Sequence, residues 1–283
     1  MKLNQTTDFF YQLFTLIAAI IIVHALYVAV VRPNAEALLE EQRMQQEAGE
    51  GYEGQRSVFI VIKDFEQEAC FILALWVVAI IGWKARVALA ERRLLGRSLL
   101  ELPPGATILP EDTRQYVRPL QALAQDEREY LLPRALQAAL RRFSSTADIQ
   151  DVSSAIREVC DTESDRLDSE LSMIRYVIWA IPSIGFIGTV RGIGAALGQA
   201  HRAVEGDIVG VTVSLGVAFN STFIALIISI FIMFLMHQLQ LLQERLVLDT
   251  QHYCDVNLLR HLQVQPDTQH YRDANLLSHS QVR

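Results

Sequence analysis

Four apolar runs of membrane-spanning length constrain this sequence more than any other feature. The hydrocarbon core of a bilayer is about 30 Å thick, so a helix rising about 1.5 Å per residue needs about 20 apolar residues to cross it. The runs are 9–31, 69–83, 174–197 and 209–236. The first carries Tyr, Gln and Thr residues and a central His24. It is too long for the apolar region of a signal peptide and no A-x-A cleavage site follows, so it reads as a retained anchor. The second is wholly apolar but short; Lys84 and Arg86 can snorkel and let it continue through 87–90. The third contains one internal charge, Arg191, besides Arg175 at its start.

Composition decides less than this distribution. The chain is 51% hydrophobic, which a soluble domain could also reach, but a soluble core does not need such long runs. The formal net charge of -7 argues against nucleic acid as a partner, because phosphates need clustered Lys and Arg. Cys70, Cys160 and Cys254 are far apart, odd in number and outside any CxxC pattern. They read as reduced thiols, not as a disulfide framework or a zinc site.

Loop charges set an expected orientation. Segment 32–68 holds Arg32, Arg43, Arg56 and Lys63 against nine acidic residues. After the second run come Lys84, Arg86, Arg92, Arg93 and Arg97 with only Glu91 among them. The positive-inside rule therefore predicts that the second span exits into the cytoplasm. Alternation then places the N-terminus, segment 84–173 and the C-tail in the cytoplasm. Segments 32–68 and 198–208 become periplasmic, in a bacterial inner membrane.

The expected fold class is an all-α integral membrane protein. It has four transmembrane helices, a helical cytoplasmic segment between the second and third, and a cytoplasmic C-terminal helix. The divisions are 1–90 for the first two spans with the acidic loop, 91–173 for the cytoplasmic helices, 174–237 for the last two spans, and 238–283 for the tail. Within the cytoplasmic segment, Leu102-Pro103-Pro104-Gly105 ends the helix that continues the second span. Helical pieces are predicted around 114–123 and 126–143, with Pro119 and Pro133 as starts or kinks. Ser144-Ser145-Thr146 is a predicted N-cap region. No Gly or Pro intervenes between Asp148 and Pro182, so one long helix is expected to rise into the third span.

The tail holds a repeat: QHYCDVNLLRHLQVQ at 251–265 recurs as QHYRDANLLSHSQVR at 269–283. The offset is five helical turns at about 3.6 residues each, so both copies present the same face. Its histidines (His252, His261, His270, His279) are not at i,i+4 spacing within a copy and cannot chelate from one helix face. A solvated or self-associating tail is expected there, and no metal.

Two spans are unusual for plain anchors. Gly185, Gly188, Gly192 and Ala196 in the third, and Gly210, Ser214, Ala218, Ser221, Ala225 and Ser229 in the fourth, recur at three- and four-residue spacing. Such faces let helix backbones approach closely in lipid. Packing accounts for most of these positions. Thr189, Asn220, Ser221 and Thr222 remain, and polar groups in hydrocarbon are costly unless paired or facing water. Ser and Thr can bond their own i−4 carbonyl, so each alone says little; Asn220 hides less easily. Counted along the spans, Thr189 lies about 22 Å from the inner edge and Thr222 about 20 Å from the outer edge, close enough to line one pathway given the latitude of the span ends. Arg191 lies slightly further out, where its plainest role is snorkelling to the periplasmic headgroups. These two spans contain no Asp or Glu. A hydroxyl can solvate an ion but cannot hold a proton, so a conducting complex is expected to take its carboxylate from another protein.

IPSIGFIGTVRGIGAAL at 181–197 resembles the signature of the MotA/TolQ/ExbB family, in which a Pro precedes a GLLGTV-like run. AFNSTFIALIISI at 218–230 is similar to that family's last span. The resemblance covers about residues 165–240. It implies that Thr189 and Thr222, with Ser221 and Asn220, line an ion pathway. It makes Pro182 a helix distortion with a gating role and Arg191 part of the periplasmic mouth. It implies a homo-pentamer around two copies of a single-span MotB/TolR/ExbD-like partner bearing an intramembrane Asp. Such a complex is a motor or stator driven by protons or sodium, with protons favoured. No cofactor is implied beyond the transported ion. The chain departs from the pattern at Arg191, at Ile224-Ala225 and at Val217, where related chains carry an apolar residue, a Gly and a Glu respectively. The competing reading is a non-conducting homo-oligomeric scaffold or sensor. An enzyme is not indicated, since no phosphate loop, nucleophile elbow or metal-ligand cluster is present.

Overall fold

A computed structural model describes residues 2–47, 57–100, 106–206 and 208–264. Every regular element among them is helical, and the chain divides into two compact units. One joins the first 85 residues to Glu170–Gln240; the other joins Arg86–Ser169 to the chain from Leu241 onward. Four helical runs among the described residues are long and apolar enough to cross a membrane: Phe9–Glu41, Phe65–Leu95, Ile149–Gly198 and Val209–His261.

The first unit begins with α1 (Lys2–Leu26), a π-helical turn (Tyr27–Val31) and α2 (Arg32–Glu47). Arg32 donates its N–H to the Tyr27 carbonyl, five residues back. The widened turn sits just before Pro33, whose ring crowds the preceding turn and has no N–H to give it. After the short α3 (Val58–Ile62) comes α4 (Phe65–Leu95). Glu66 and Glu68 occupy its first turn and Arg92 and Arg93 its last, each sign at the end of the helix dipole that favours it. Further along lie α9 (Ser172–Gly198), the short α10 (Ala200–Val204) and α11 (Val209–Asn257). Val77, Ile80 and Ile81 of α4 pack with Ile174, Val177, Ile178 and Ile181 of α9 and with Ala225, Ile228 and Ile232 of α11. These positions recur at three and four residues, the spacing of one helix face. α1 and the π-helical turn join through Val23, Tyr27 and Val31, which pack against Phe71 and Ile72. Two hydrogen bonds tie it to α4: Trp76 Nε1 donates to the Gln12 carbonyl at 2.9 Å, and the Tyr11 hydroxyl to the Ala79 carbonyl at 3.3 Å.

The second unit contains α5 (Thr113–Ala122), α6 (Gln125–Arg128), α7 (Leu131–Thr146) and most of α8 (Ile149–Glu170). The single helix expected over 126–143 is thus two. Pro133 is the reason: proline is tolerated in a helix's first turn, where its missing N–H forfeits no bond, so the helix restarts just before it. Ser144, Ser145 and Thr146 do not cap the next helix. Their hydroxyls donate back to carbonyls of residues 141 and 142, Ala147 turns left-handed at φ 51°, and Asp148 is the cap, accepting the Gln150 N–H at 2.7 Å. The long helix expected from 148 is interrupted once, at Leu171, between α8 and α9.

The first copy of the tail repeat is not a solvated or self-associating face. Cys254, Leu258 and Leu262 are buried with Ile108, Leu136, Leu140, Phe143 and Ile156 in this unit's core. The backbone of Ile108 pairs with that of residues 261 and 263. Apolar residues at four-residue spacing (254, 258, 262) carry this burial, while His252 is exposed and His261 half-buried. The second copy, with His270 and His279, lies outside the described residues, as do the 102–105 break and Arg56. Glu163 is buried and takes Arg134 at 2.8 Å and also Arg166.

Candidate ion-pathway site

Pro182 lies inside α9 and cannot donate to the Ile178 carbonyl. A carbonyl left bare in an apolar unit is costly. The buried Ser229 of α11 supplies the missing partner, its hydroxyl donating to Ile178 O at 3.1 Å. The Cys70 thiol lies 3.7 Å from the next carbonyl but two, Ile181 O. The proline therefore leaves one carbonyl of α9 open, which α11 closes, and the α4 thiol adds a weaker contact one turn on.

Beyond that point α9 and α11 run in opposite directions with almost no space between their backbones. A Cβ built on Gly185 would stand 2.6 Å from the Ala225 Cβ, one on Gly188 2.5 Å from the Ser221 Cβ, and one on Gly192 2.7 Å from the Ala218 Cβ. Each distance is far inside van der Waals contact, so only glycine fits. This register sets Thr189 directly against Thr222. Their hydroxyls are hydrogen-bonded to each other. Thr189 Oγ1 also reaches Gly185 O at 3.2 Å and Ala218 O at 3.1 Å, and Thr222 Oγ1 reaches Gly185 O at 3.2 Å. Ser221 is buried, donates to its own i−4 carbonyl, Val217 O, at 2.9 Å, and accepts the Gln67 side-chain amide at 3.4 Å. Asn220 is half-buried on the same turn.

The structure also brings a carboxylate of the chain's own to this site. Glu66 of α4 would lie 3.2 Å, at its Cγ, from a Cβ on Gly188. Its two oxygens take the Arg191 guanidinium at 2.6 and 2.7 Å. Arg191 thus does not simply snorkel. A fork-to-fork partner within reach is better than a lone charge drawn toward headgroups. The expectation that any carboxylate must come from outside the chain is revised to this extent: one is already here, held by a cation. Neighbouring Glu68 is buried and pairs with Arg32 and with His24 Nδ1, the latter at 2.7 Å, so the central His24 of the first span has an acidic partner. Sequence reading missed Glu66, Gln67 and the role of Ser229. The lone Arg191 was the signal for the first, and Pro182 four residues after Ile178 the signal for the last.

The outward faces of both helices are apolar. Phe186, Ile187 and Val190 on α9, and Phe219, Phe223 and Ile230 on α11, are all exposed in the single chain. No curated protein and no solved structure matches the chain significantly. Residues 127–252 match the family model of the MotA/TolQ/ExbB proton channel family.

Proposed function

We propose that this chain is the ring-forming subunit of an inner-membrane stator or motor complex that conducts protons. Five copies surround two copies of a single-span partner with an intramembrane Asp, and ion flow past Thr189 and Thr222 becomes mechanical work. The observation that carries this reading is the paired Thr189–Thr222 hydroxyls at the glycine-packed crossing of α9 and α11, inside the stretch that matches a proton channel family. The apolar outward faces of these helices supply surface for neighbouring copies and lipid. The basic residues after Trp83 support a cytoplasmic location for 84–173 and for both termini. Pro182 is the point of bending, and Arg191 with Glu66 stands at the periplasmic mouth.

One observation favours the scaffold reading instead. Both threonine hydroxyls already bond each other and backbone carbonyls, which is what a purely structural interhelix contact requires. The two readings separate on purification from native membranes. The motor predicts a pentamer by native mass spectrometry, a co-purifying single-span protein with an intramembrane Asp, and voltage-driven proton uptake in liposomes. A monomer or dimer of this chain, or a lone oligomer without flux, overturns the motor.

A further inference from the structure

The second unit carries a hollow of about 360 Å³ between α5 and α7, and three arginines line it. Arg114, Arg118 and Gln121 stand at i, i+4 and i+7, on one face of α5. Arg141 and Ser144 face them from α7, three residues apart on one side of that helix. The floor is apolar: Leu140 is fully buried in the core and Val117 packs on it. The helices that shape the hollow are therefore fixed by the core, and the arginines stand on its exposed rim.

The charge balance of this hollow is unusual for the chain. The protein has 32 acidic against 25 basic residues, yet no Asp or Glu lines the hollow. Arg134 and Arg166 of the same unit turn inward and share Glu163, and Arg97 takes Glu127. Arg114, Arg118 and Arg141 form no ion pair among the described residues. Three guanidinium groups around one hollow repel one another, and an anion seated among them removes that repulsion while accepting their forked N–H donors.

We propose that this hollow is a binding site for a doubly charged phosphate group. A carboxylate offers two oxygens and one charge, which a single arginine satisfies; three arginines on two helices match an anion with three or more oxygens and at least two charges. The Ser144 hydroxyl and the Gln121 amide add neutral donors. The volume lies at the small end of the ligand-pocket range, about 300–1,000 Å³, and suits a phosphate with a modest organic part. The same chemistry comes from a soluble phosphate compound or from a lipid headgroup. The proposal is independent of ion conduction.

The test uses the full chain purified in detergent, titrated calorimetrically with inorganic pyrophosphate and with ATP. A parallel arm compares phosphatidylcholine nanodiscs with and without phosphatidic acid, whose phosphomonoester headgroup has three free oxygens and a second ionisation near neutral pH, reading protection of the chain against thermal unfolding. Saturable binding is expected, weakened about tenfold or more by Arg118→Gln and by Arg141→Gln. Arg142→Gln, on the same helix but outside the hollow, is expected to change it less than about twofold. These side chains are exposed, so folding should be unchanged, which the unfolding midpoint checks. Phosphatidic acid protection that the same two variants abolish, without pyrophosphate binding, assigns the phosphate to a lipid. Absence of both effects, or equal weakening by Arg142→Gln, overturns the proposal.

Discussion

Arg191 of the third apolar run grips Glu66 in the first turn of α4 through its Nε and one Nη, at 2.6 and 2.7 Å, two residues along α9 from Thr189 and its contact with Thr222. Glu66 is 11% exposed and Arg191 51%. Removing the cation alone leaves a largely buried carboxylate without its partner, which costs more than the pair is worth. Arg191→Leu should therefore lower the yield of folded protein, by about 1–2 kcal/mol of stability because the arginine is half exposed. Adding Glu66→Gln should recover most of the loss. If the double variant is folded but conducts nothing, the pair acts on ion passage; if it conducts fully, the pair only holds α4 to α9. Equal stability of Arg191→Leu and the parent would show that the contact contributes nothing.

Gly188 and Gly194 lie on the same helix in opposite surroundings. A Cβ at 188 meets Ser221 and Glu66, whereas one at 194 meets nothing within 4 Å. Gly188→Ala should destabilise by about 1–3 kcal/mol through overpacking, and Gly194→Ala should be neutral or slightly stabilising in a helix. Thermal unfolding of the two purified variants compares them directly. Matching midpoints would mean that the α9–α11 crossing is looser than this geometry.

Much of this was readable in advance because membrane spans and small-residue faces are local patterns. Run length located the spans, and the three- and four-residue spacing of Gly185, Gly188 and Gly192 located the tight crossing. Counting residues from the span ends left Thr189 and Thr222 about 12 Å apart in level, yet they touch. The error lies in the ends: α11 runs to Asn257 and α9 starts at Ser172, so hydropathy does not mark where the helices lie in depth. Partnerships distant in sequence were not readable. Nothing local to Glu66 announces Arg191, 125 residues later, nor does the amphipathic first repeat announce that Cys254 and Leu258 fill a core with Ile108. Polar histidines dominated that segment's appearance, while three apolar positions decide its burial.

Ser229 and Pro182 form a second testable couple. Ser229→Ala leaves Ile178 O without a donor, at a cost of about 1–3 kcal/mol. In a Pro182→Ala background residue 182 regains an N–H, which can satisfy the same carbonyl through the ordinary helix bond. Ser229→Ala should then cost less than about 0.5 kcal/mol, so the double-mutant cycle should show clear coupling. Additive losses would mean that the hydroxyl contributes through packing and not through this hydrogen bond.

Topology is tested at Ser144, which is exposed at the end of α7. All three native cysteines are buried, and in a background that lacks them Ser144→Cys offers a single reactive thiol. A membrane-impermeant maleimide should leave it unlabelled in intact cells and label it after lysis. Labelling in intact cells would place 84–173 outside and invert every assigned side.

Thr222 decides between conduction and packing. Its hydroxyl bonds Thr189 and Gly185 O, so Thr222→Val keeps the shape and removes the oxygen. Interhelix hydrogen bonds in membrane proteins average about 0.6 kcal/mol, so assembly should survive. If the oxygen also solvates the passing ion or the water beside a carboxylate, its loss where water is scarce is worth about 1–3 kcal/mol, and flux should fall roughly tenfold or more. Thr222→Ser keeps the oxygen and should retain much of the flux. A purely structural threonine gives the reverse order, because Ser loses the methyl that fills the crossing and Val does not. Flux in liposomes for both variants, with complex yield as the control, therefore ranks the two roles. Full conduction by Thr222→Val would remove this residue from the pathway and leave Asn220, half-buried on the same turn, as the polar group to test next.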